Sequence, residues 1–238
     1  MPAIMNKQDL LTKCLRALDK KFPPAPETDP RPVLEEVLYA IVREGTTTEQ
    51  ANATFAKMKG SFFDWNEVRV STIPEIAEAL AGVPDQSRKA QRINEILQYV
   101  FEMYYSFDLT DLDKKGLKQA GKQLNRFTGM SDFAVAWVLQ RALGGHAIPL
   151  DEPTVRVLRR LYVVEGEVED WEAVRATLEH YVPKANGPAF TDRFATLAAT
   201  ICQERPKCPE CPLRPDCPTG QQYGKNTPAD PKPKPKSR

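Results

Sequence analysis

The chain has 238 residues, of which 41% are hydrophobic and 27% are charged, a balance typical of a soluble globular protein with a sizeable core. No apolar stretch approaches the roughly 18 residues that a membrane span requires, and the N-terminus shows neither an apolar signal region nor a small-residue cleavage site. The sequence therefore predicts a cytoplasmic protein without a membrane partner. The net charge of +1 gives no overall signal for nucleic acid.

Positive charge is nevertheless concentrated in two stretches. The first stretch carries five cations against the single acid Asp113, namely Lys114, Lys115, Lys118, Lys122 and Arg126. The second is the Pro/Lys-rich segment 225–238, which is too polar to fold and which we predict to be a disordered basic tail. Because such runs are most often solvated surface, their position relative to other motifs has to decide whether they bind a polyanion.

Apolar residues recur at helical spacing along the whole chain, which predicts an all-α fold. A first helix has one apolar face over residues 10–18, and a proline-rich joint at residues 23–32 ends it. Thr72 before Ile73-Pro74-Glu75 is a helix-start signal, and Gly144-Gly145 is a helix-stop signal. The further predicted helices cover residues 33–42, 48–59, 73–80, 89–105, 117–127, 132–143, 153–163, 171–181 and 191–202.

Four of the five cysteines lie within sixteen residues, at Cys202, Cys208, Cys211 and Cys217, and prolines separate them. Four thiolates in so short a loop can converge on one metal centre, and the prolines lower the entropy cost of closing the loop. The spacing leaves two candidates, a structural Zn²⁺ and a [4Fe–4S] cluster. A single C-x2-C pair without a nearby histidine favours the cluster. Cys14 stands apart, and we expect it to be a buried apolar residue.

The order of these motifs resembles endonuclease III and the related helix–hairpin–helix DNA glycosylases, whose C-terminal loop holds a [4Fe–4S] cluster. Residues 127–131, FTGMS, are similar to the family hairpin L-P-G-V-G, and residues 147–151 are similar to the segment that ends in the family's essential aspartate. Residues 86–93 are similar to a segment in which a Lys-Ala pair opens a helix. The cysteine gaps of five, two and five residues match the family's second and third gaps and are one residue short in the first.

The resemblance covers most of residues 30–220 and implies a two-lobed helical fold. One lobe is expected to contain the helix–hairpin–helix and the other to contain the iron–sulfur loop. The domains implied are 1–29, an N-terminal helix on the cluster lobe; 30–145, the hairpin lobe; 146–224, the cluster lobe; and 225–238, the basic tail.

The family hairpin lets backbone N–H groups and a helix N-terminus approach a DNA phosphate. The resemblance therefore implies double-stranded DNA as the partner. The implied DNA-binding residues are Gly129, Met130 and Ser131, with Arg126, Lys122 and Lys89 as additional phosphate contacts. Ser131 stands where the family has a second glycine. It can still donate a hydrogen bond but resists a positive φ, so we expect DNA binding through the hairpin to be weakened. Asp132 at the following helix start is also less favourable for phosphate.

The chemistry implied by the resemblance rests on two positions. Bifunctional relatives form a Schiff base with a lysine whose position is occupied here by Phe133, so an AP lyase step is not expected. Asp151 matches the carboxylate with which monofunctional relatives hydrolyse the N-glycosidic bond, although it also fits an ordinary helix N-cap. Two further expectations concern residues near the second helix: Arg43 as a wedge that fills the gap left by an extruded base, and Glu35 or Glu36 as the acid that protonates the leaving base.

The resemblance thus implies a monomeric, monofunctional DNA N-glycosylase of base excision repair with Asp151 as its central carboxylate. A non-catalytic DNA-binding iron–sulfur protein of the same fold is the alternative. A zinc-stabilised helical interaction module is a third reading.

Overall fold

The computed structural model describes residues 6–23, 30–164 and 170–223, and the regular elements in these ranges are all helical. The all-α prediction is confirmed. The α-helices of these ranges are α1 (Lys7–Lys21), α2 (Val33–Arg43), α3 (Thr48–Ser61), α4 (Trp65–Val70), α5 (Ile73–Ala79), α6 (Gln86–Tyr104), α7 (Leu117–Leu124), α8 (Asp132–Arg141), α9 (Glu152–Arg160), α10 (Trp171–Tyr181), α11 (Gly187–Thr200) and α12 (Pro218–Gln222).

One apolar cluster is built by α2 to α8 around α2. Nearly every residue of α2 is buried, as expected for a helix that is apolar around most of its circumference. It packs against α3, α6 and α8. Trp137 of α8 is 3% exposed and lies against Tyr39 of α2, with the ring centroids 5.8 Å apart.

A second apolar cluster joins α1 with α9, α10, α11 and the cysteine loop. Its centre is the stacked pair Phe190 and Phe194 of α11, with the ring centroids 4.2 Å apart. Two ion pairs fasten α1 to this cluster. Arg193 contacts Asp19 at 3.0 Å, and Lys13 contacts Asp216 in the cysteine loop at 2.6 Å. The N-terminal helix therefore packs on the part of the chain that carries the cysteines.

The two clusters meet where α2 and α8 face α11. Asp192 of α11 forms an ion pair with Arg141 of α8 at 3.0 Å and lies 3.7 Å from a guanidinium nitrogen of Arg43. Gln140 of α8 donates to the carbonyl of Ala147 at 2.6 Å, just beyond the end of its helix. These polar contacts fix the relative position of the segments that line the site described below.

Most sequence-predicted helices are present, with ends shifted by a few residues. Thr72 forms the predicted N-cap and, with Glu75, a full capping box. The helix predicted over 117–127 ends at Leu124, because the next residues turn into the hairpin. The short helices α4 and α12 were not predicted. Residues 24–29, within the predicted proline-rich joint, and the predicted basic tail at 225–238 lie outside the described residues.

Candidate active-site cleft and cysteine cavity

A cleft of about 550 Å³ opens between the two apolar clusters. Four segments line it: the turn that follows α2, the start of α6, the hairpin at residues 129–131 and the start of α9. Most of the side chains along it are charged or polar. Asp151, the hairpin residues and Lys89, all singled out from the sequence, are thereby brought into one cleft.

Asp151 is the N-cap of α9 and is 6% exposed. Its Oδ1 accepts the N–H of Thr154 at 2.9 Å, as the sequence signature predicts. Its Oδ2 accepts the N–H of Gly45 at 3.0 Å, from the turn after α2. Gly45 has φ +74°, a left-handed conformation that favours glycine. The carboxylate is therefore oriented by one backbone donor of its own helix and one from the other cluster.

The hairpin requires glycine at position 129. Gly129 has φ +90°, and a Cβ built there would lie 2.7 Å from the backbone carbonyl oxygen of Arg92 on α6. Position 131 does not need the positive φ that the family's glycine suggests, because Ser131 has φ −119° and ψ 161°, the extended conformation of an N-cap. Its hydroxyl accepts the N–H of Ala134 at 3.2 Å, so serine caps α8 without strain in a position that needs no positive φ.

Arg92 connects the hairpin with the turn after α2. Its Nε donates to the carbonyl of Gly129 and its two terminal nitrogens donate to Ser131 Oγ and Glu44 Oε2, all three at 2.8 Å. The Ser131 hydroxyl in turn donates to the same Glu44 oxygen at 2.9 Å. Neither Arg92 nor Glu44 was singled out from the sequence, since only the fold brings residues 44, 92 and 131 together.

Lys89 is not the surface cation that the sequence led us to expect. It is 4% exposed, and its amino group donates to the backbone carbonyls of Val42, at 2.8 Å, and Glu44 at the C-terminal end of α2. Burial lowers the pKa of Lys89 to about 8, and the nearby Glu44 carboxylate partly opposes that shift. Lys89 is therefore not the phosphate contact that we expected. Its amino group donates to backbone carbonyls at the C-terminal end of α2, where the helix supplies no N–H partner. Lys122 and Arg126, by contrast, are exposed on α7 and at the start of the hairpin.

The wedge and acid expectations near α2 are also corrected. Arg43 is fully buried and donates to the carbonyl of Thr46, so it cannot enter a DNA duplex. Glu36 is 5% exposed and accepts the indole N–H of Trp137 at 2.6 Å. Glu35 pairs with Lys59 of α3 at 2.8 Å. None of these three residues is among those lining the cleft.

Phe133, which the sequence resemblance aligns with the lysine of bifunctional relatives, is the second residue of α8. Its side chain is 3% exposed and its ring stacks on Trp137, with the centroids 5.9 Å apart. Phenylalanine therefore contributes to the apolar cluster built around α2.

The four C-terminal cysteines line a single small cavity of about 20 Å³. None of the four forms a disulfide bond. Arg160 also lines this cavity and donates to Cys202 Sγ at 3.3 Å, and the Gly220 N–H donates to Cys217 Sγ at 3.3 Å. Thiol sulfurs that face one cavity and accept N–H donors are the donor set of an iron–sulfur or zinc centre, so the residues fit the group that the resemblance implies.

In the described ranges no three His, Cys, Asp or Glu side chains are gathered closely enough to hold a single metal ion. A [4Fe–4S] cluster does not require such a group, because each of its four cysteines binds a different iron. Burial raises the pKa of Cys211 to about 11, opposed by the N–H of Leu213 and reinforced by the neighbouring thiols. Burial likewise raises the pKa values of Cys208 and Cys217. Cys14 is buried as expected, in the same apolar cluster as Leu213 and Cys217 of the cysteine loop.

Comparison with known proteins identifies the fold. No protein-family model matches the chain. An endonuclease III homolog of Encephalitozoon cuniculi (strain GB-M1) is 26% identical over 188 residues, which cover 78% of this chain and 73% of the relative. An endonuclease III in a non-covalent complex with DNA superposes with a TM-score of 0.69 at 20% identity, covering 94% of this chain and 100% of the other. The chain has an endonuclease III-like fold.

A second solved structure, a thermostable thymine-DNA glycosylase, has a TM-score of 0.65 at 18% identity and covers 91% of this chain and 97% of its own. The resemblance predicted from the sequence is thus confirmed, and the structural similarity covers 91% and 94% of this chain in the two comparisons. In the described part of this chain, none of the helices combines the length and the hydrophobicity needed to span a membrane.

Proposed function

We propose that the protein is a monofunctional DNA N-glycosylase that removes a damaged or mismatched base by hydrolysis, with Asp151 as the central carboxylate. The observation that carries this proposal is the position of Asp151 in the cleft beside the hairpin, held by backbone donors from both sides. A carboxylate held this way needs no reorganisation when positive charge develops next to it.

In the proposed reaction the C1′–N bond of the extruded nucleotide breaks and the base leaves with the bonding electrons, taking up a proton from solvent. A water oxygen then bonds to C1′ and loses its proton to solvent. The Asp151 carboxylate stabilises the oxocarbenium-like transition state and orients the water, as carboxylates do in glycoside hydrolysis. Extrusion of the base is necessary because C1′ is not accessible inside the duplex.

The hairpin supports binding of double-stranded DNA. Gly129 allows its backbone to approach a neighbour closely, and α8 begins immediately afterwards, so N–H groups at a helix N-terminus are available for a phosphate. Lys122 and Arg126 are exposed just before the hairpin and can add phosphate contacts. These contacts fix the duplex without reading its sequence. We expect a monomer that works in the cytoplasm, and sedimentation of the purified protein tests the first point.

The proposal excludes a lyase step through the family's lysine, because position 133 carries an apolar ring. Borohydride reduction in the presence of abasic duplex is therefore expected to trap no covalent adduct. A trapped adduct would show that another lysine forms a Schiff base and would refute the monofunctional assignment.

We further propose that Cys202, Cys208, Cys211 and Cys217 hold a [4Fe–4S] cluster that fastens the loop to α9 and α11. When bound, such a cluster supplies a structural cross-link and one-electron redox chemistry. Protein purified anaerobically is expected to contain about four irons per chain and to absorb near 400 nm. One zinc per chain would instead support the zinc-stabilised reading.

Asp151 by itself also favours a second function, a DNA-binding protein without catalysis. Both of its oxygens are already engaged, so its structural role as an N-cap is complete without a substrate. A panel of duplexes separates the two functions. The duplexes contain uracil, mismatched thymine, 8-oxoguanine or 3-methyladenine, and alkali cleaves the abasic sites that a glycosylase leaves.

Cleavage by the native protein, lost in Asp151→Asn and kept in Glu152→Gln, supports the glycosylase. Glu152 is the matched control, because it is an exposed carboxylate at the next position of the same cleft. No cleavage of any duplex, with binding retained, supports the non-catalytic function. Equal loss in both variants would mean that general negative charge, and not Asp151, is what the reaction needs.

A further inference from the structure

Two cations on one face of α6 hold the same residue of the turn after α2. Lys89 and Arg92 are three positions apart, so they are neighbours on the helix surface. Lys89 donates to the main-chain carbonyl of Glu44, and Arg92 contacts the carboxylate of Glu44 at 2.8 Å. The backbone and the side chain of Glu44 are therefore both fixed from α6.

Arg92 also holds the hairpin. Its remaining donors contact the carbonyl of Gly129 and the hydroxyl of Ser131, and that hydroxyl donates to Glu44 at 2.9 Å. Arg92, Glu44 and Ser131 thus close a ring of hydrogen bonds between the hairpin and the turn. The side chains of Arg92 and Glu44 are 16% and 26% exposed, so this ring is partly shielded from water and from screening by salt.

The turn leads directly to the candidate catalytic carboxylate. Gly45, the residue after Glu44, donates its N–H to Asp151 Oδ2 at 3.0 Å. The direction of that N–H is set by the peptide plane between residues 44 and 45, whose carbonyl Lys89 holds. A movement of Glu44 therefore rotates the donor that orients Asp151.

We propose that Arg92 is a positioning residue that couples the hairpin to Asp151 through Glu44 and the Gly45 N–H. This inference rests on the proposed function of the cleft. The proposal also gives Ser131 a role that glycine cannot have, because the serine hydroxyl is one member of the ring of hydrogen bonds with Arg92 and Glu44. Binding of a phosphate at the hairpin then acts on the orientation of the carboxylate.

The test uses Arg92→Gln with Arg88→Gln as the matched control, because Arg88 is an exposed arginine of the same cleft on the same helix. Single-turnover rates are measured at saturating enzyme on the duplex that the native protein cleaves, and affinities on a duplex with a tetrahydrofuran abasic analogue. Arg92→Gln is expected to lower the rate on the order of 10- to 100-fold, the scale for misplacement of a catalytic group, and to change the affinity far less. Arg88→Gln is expected to leave the rate unchanged.

A second measurement does not depend on activity. The chain has 12 glycines, so the Gly45 amide can be followed by NMR in protein labelled with ¹⁵N-glycine. Its proton resonance is expected to move in Asp151→Asn, because the acceptor changes, and in Arg92→Gln, because the donor rotates. Glu44→Gln, which keeps the shape of the side chain, is expected to give a smaller shift in the same direction.

A Gly45 resonance that is unchanged in Arg92→Gln and Glu44→Gln overturns the proposal, as does an equal loss of rate in Arg88→Gln. If no duplex is cleaved by the native protein but the Gly45 resonance responds as expected, the proposed function fails while the coupling from Arg92 to Asp151 stands.

Discussion

Gly129→Ala tests how closely the hairpin approaches α6. Gly129 has φ +90°, and an added Cβ would lie 2.7 Å from the carbonyl oxygen and 3.2 Å from the Cα of Arg92. Both of these atoms belong to the backbone of a long helix, so neither can move aside as a flexible side chain could. The hairpin itself has to shift.

The expected loss of stability has two parts. A residue with a Cβ in the left-handed region costs about 1–2 kcal/mol. Moving the hairpin away from α6 also weakens the 2.8 Å hydrogen bond from Arg92 Nε to the Gly129 carbonyl, and a hydrogen bond with a charged partner contributes about 1.5–3 kcal/mol. We therefore expect Gly129→Ala to lower the free energy of unfolding by about 3–5 kcal/mol.

Gly144→Ala is the matched control, because Gly144 has φ +60° but a Cβ built there meets nothing within 4 Å. It is expected to cost only the conformational part, about 1–2 kcal/mol. Urea unfolding followed by circular dichroism gives both midpoints, and equal slopes are required before the midpoints are compared. Equal destabilisation by the two substitutions would show that the hairpin does not approach α6 as described.

Three further predictions concern buried polar groups and thiols. The pKa of Lys89 is about 8 in the folded chain and 10.5 in the unfolded chain, so between these pH values the unfolded chain binds more protons. The free energy of unfolding of the native protein should therefore rise with pH across this range, by up to about 3 kcal/mol relative to Lys89→Met. Parallel pH profiles of the two proteins would contradict this. Cys211→Ser should abolish bound iron while Cys14→Ala keeps it, as measured by metal analysis; equal iron in both would exclude the loop as the ligand set. Trp137→Phe removes the indole donor to Oε1 of the nearly buried Glu36, whose other carboxylate oxygen contacts Arg31, and should lower the free energy of unfolding by about 2–4 kcal/mol in urea; a loss under 1 kcal/mol would contradict the buried contact.

Sequence patterns were sufficient for the fold because the decisive signals are local. The apolar period predicts helices, and Thr72 with Glu75 predicts a capping box that the structure contains. The four-residue cysteine set was visible for the same reason, since its members lie within one short loop. The six-residue helix α4 was missed because one and a half turns are too short to display a helical period, although Asp64 caps it.

The candidate site was only partly predictable, because its key contacts join residues far apart in sequence. The sequence pattern predicts that Lys89 is a surface cation. Only the packing of α6 against the end of α2 shows that its amino group donates to two backbone carbonyls. Arg43 likewise reads as a helix-end cation, yet it is buried beside Asp192 where the two apolar clusters meet. A charge pattern gives the type of residue but not the direction of its side chain.

The hairpin shows most clearly why a motif must be examined for its backbone angles. A second glycine in a G-x-G turn suggests two positive φ values, but here Gly129 alone has one and Ser131 is extended. Ser131 therefore makes the turn more rigid, because its side chain caps α8 and joins Arg92. The N–H of Met130 donates to Phe127 and that of Ala134 donates to Ser131, so these two donors are already engaged. A phosphate at this hairpin has to be bound by the N–H groups between them, at Ser131 and the first residues of α8, which are the groups aligned with the helix axis.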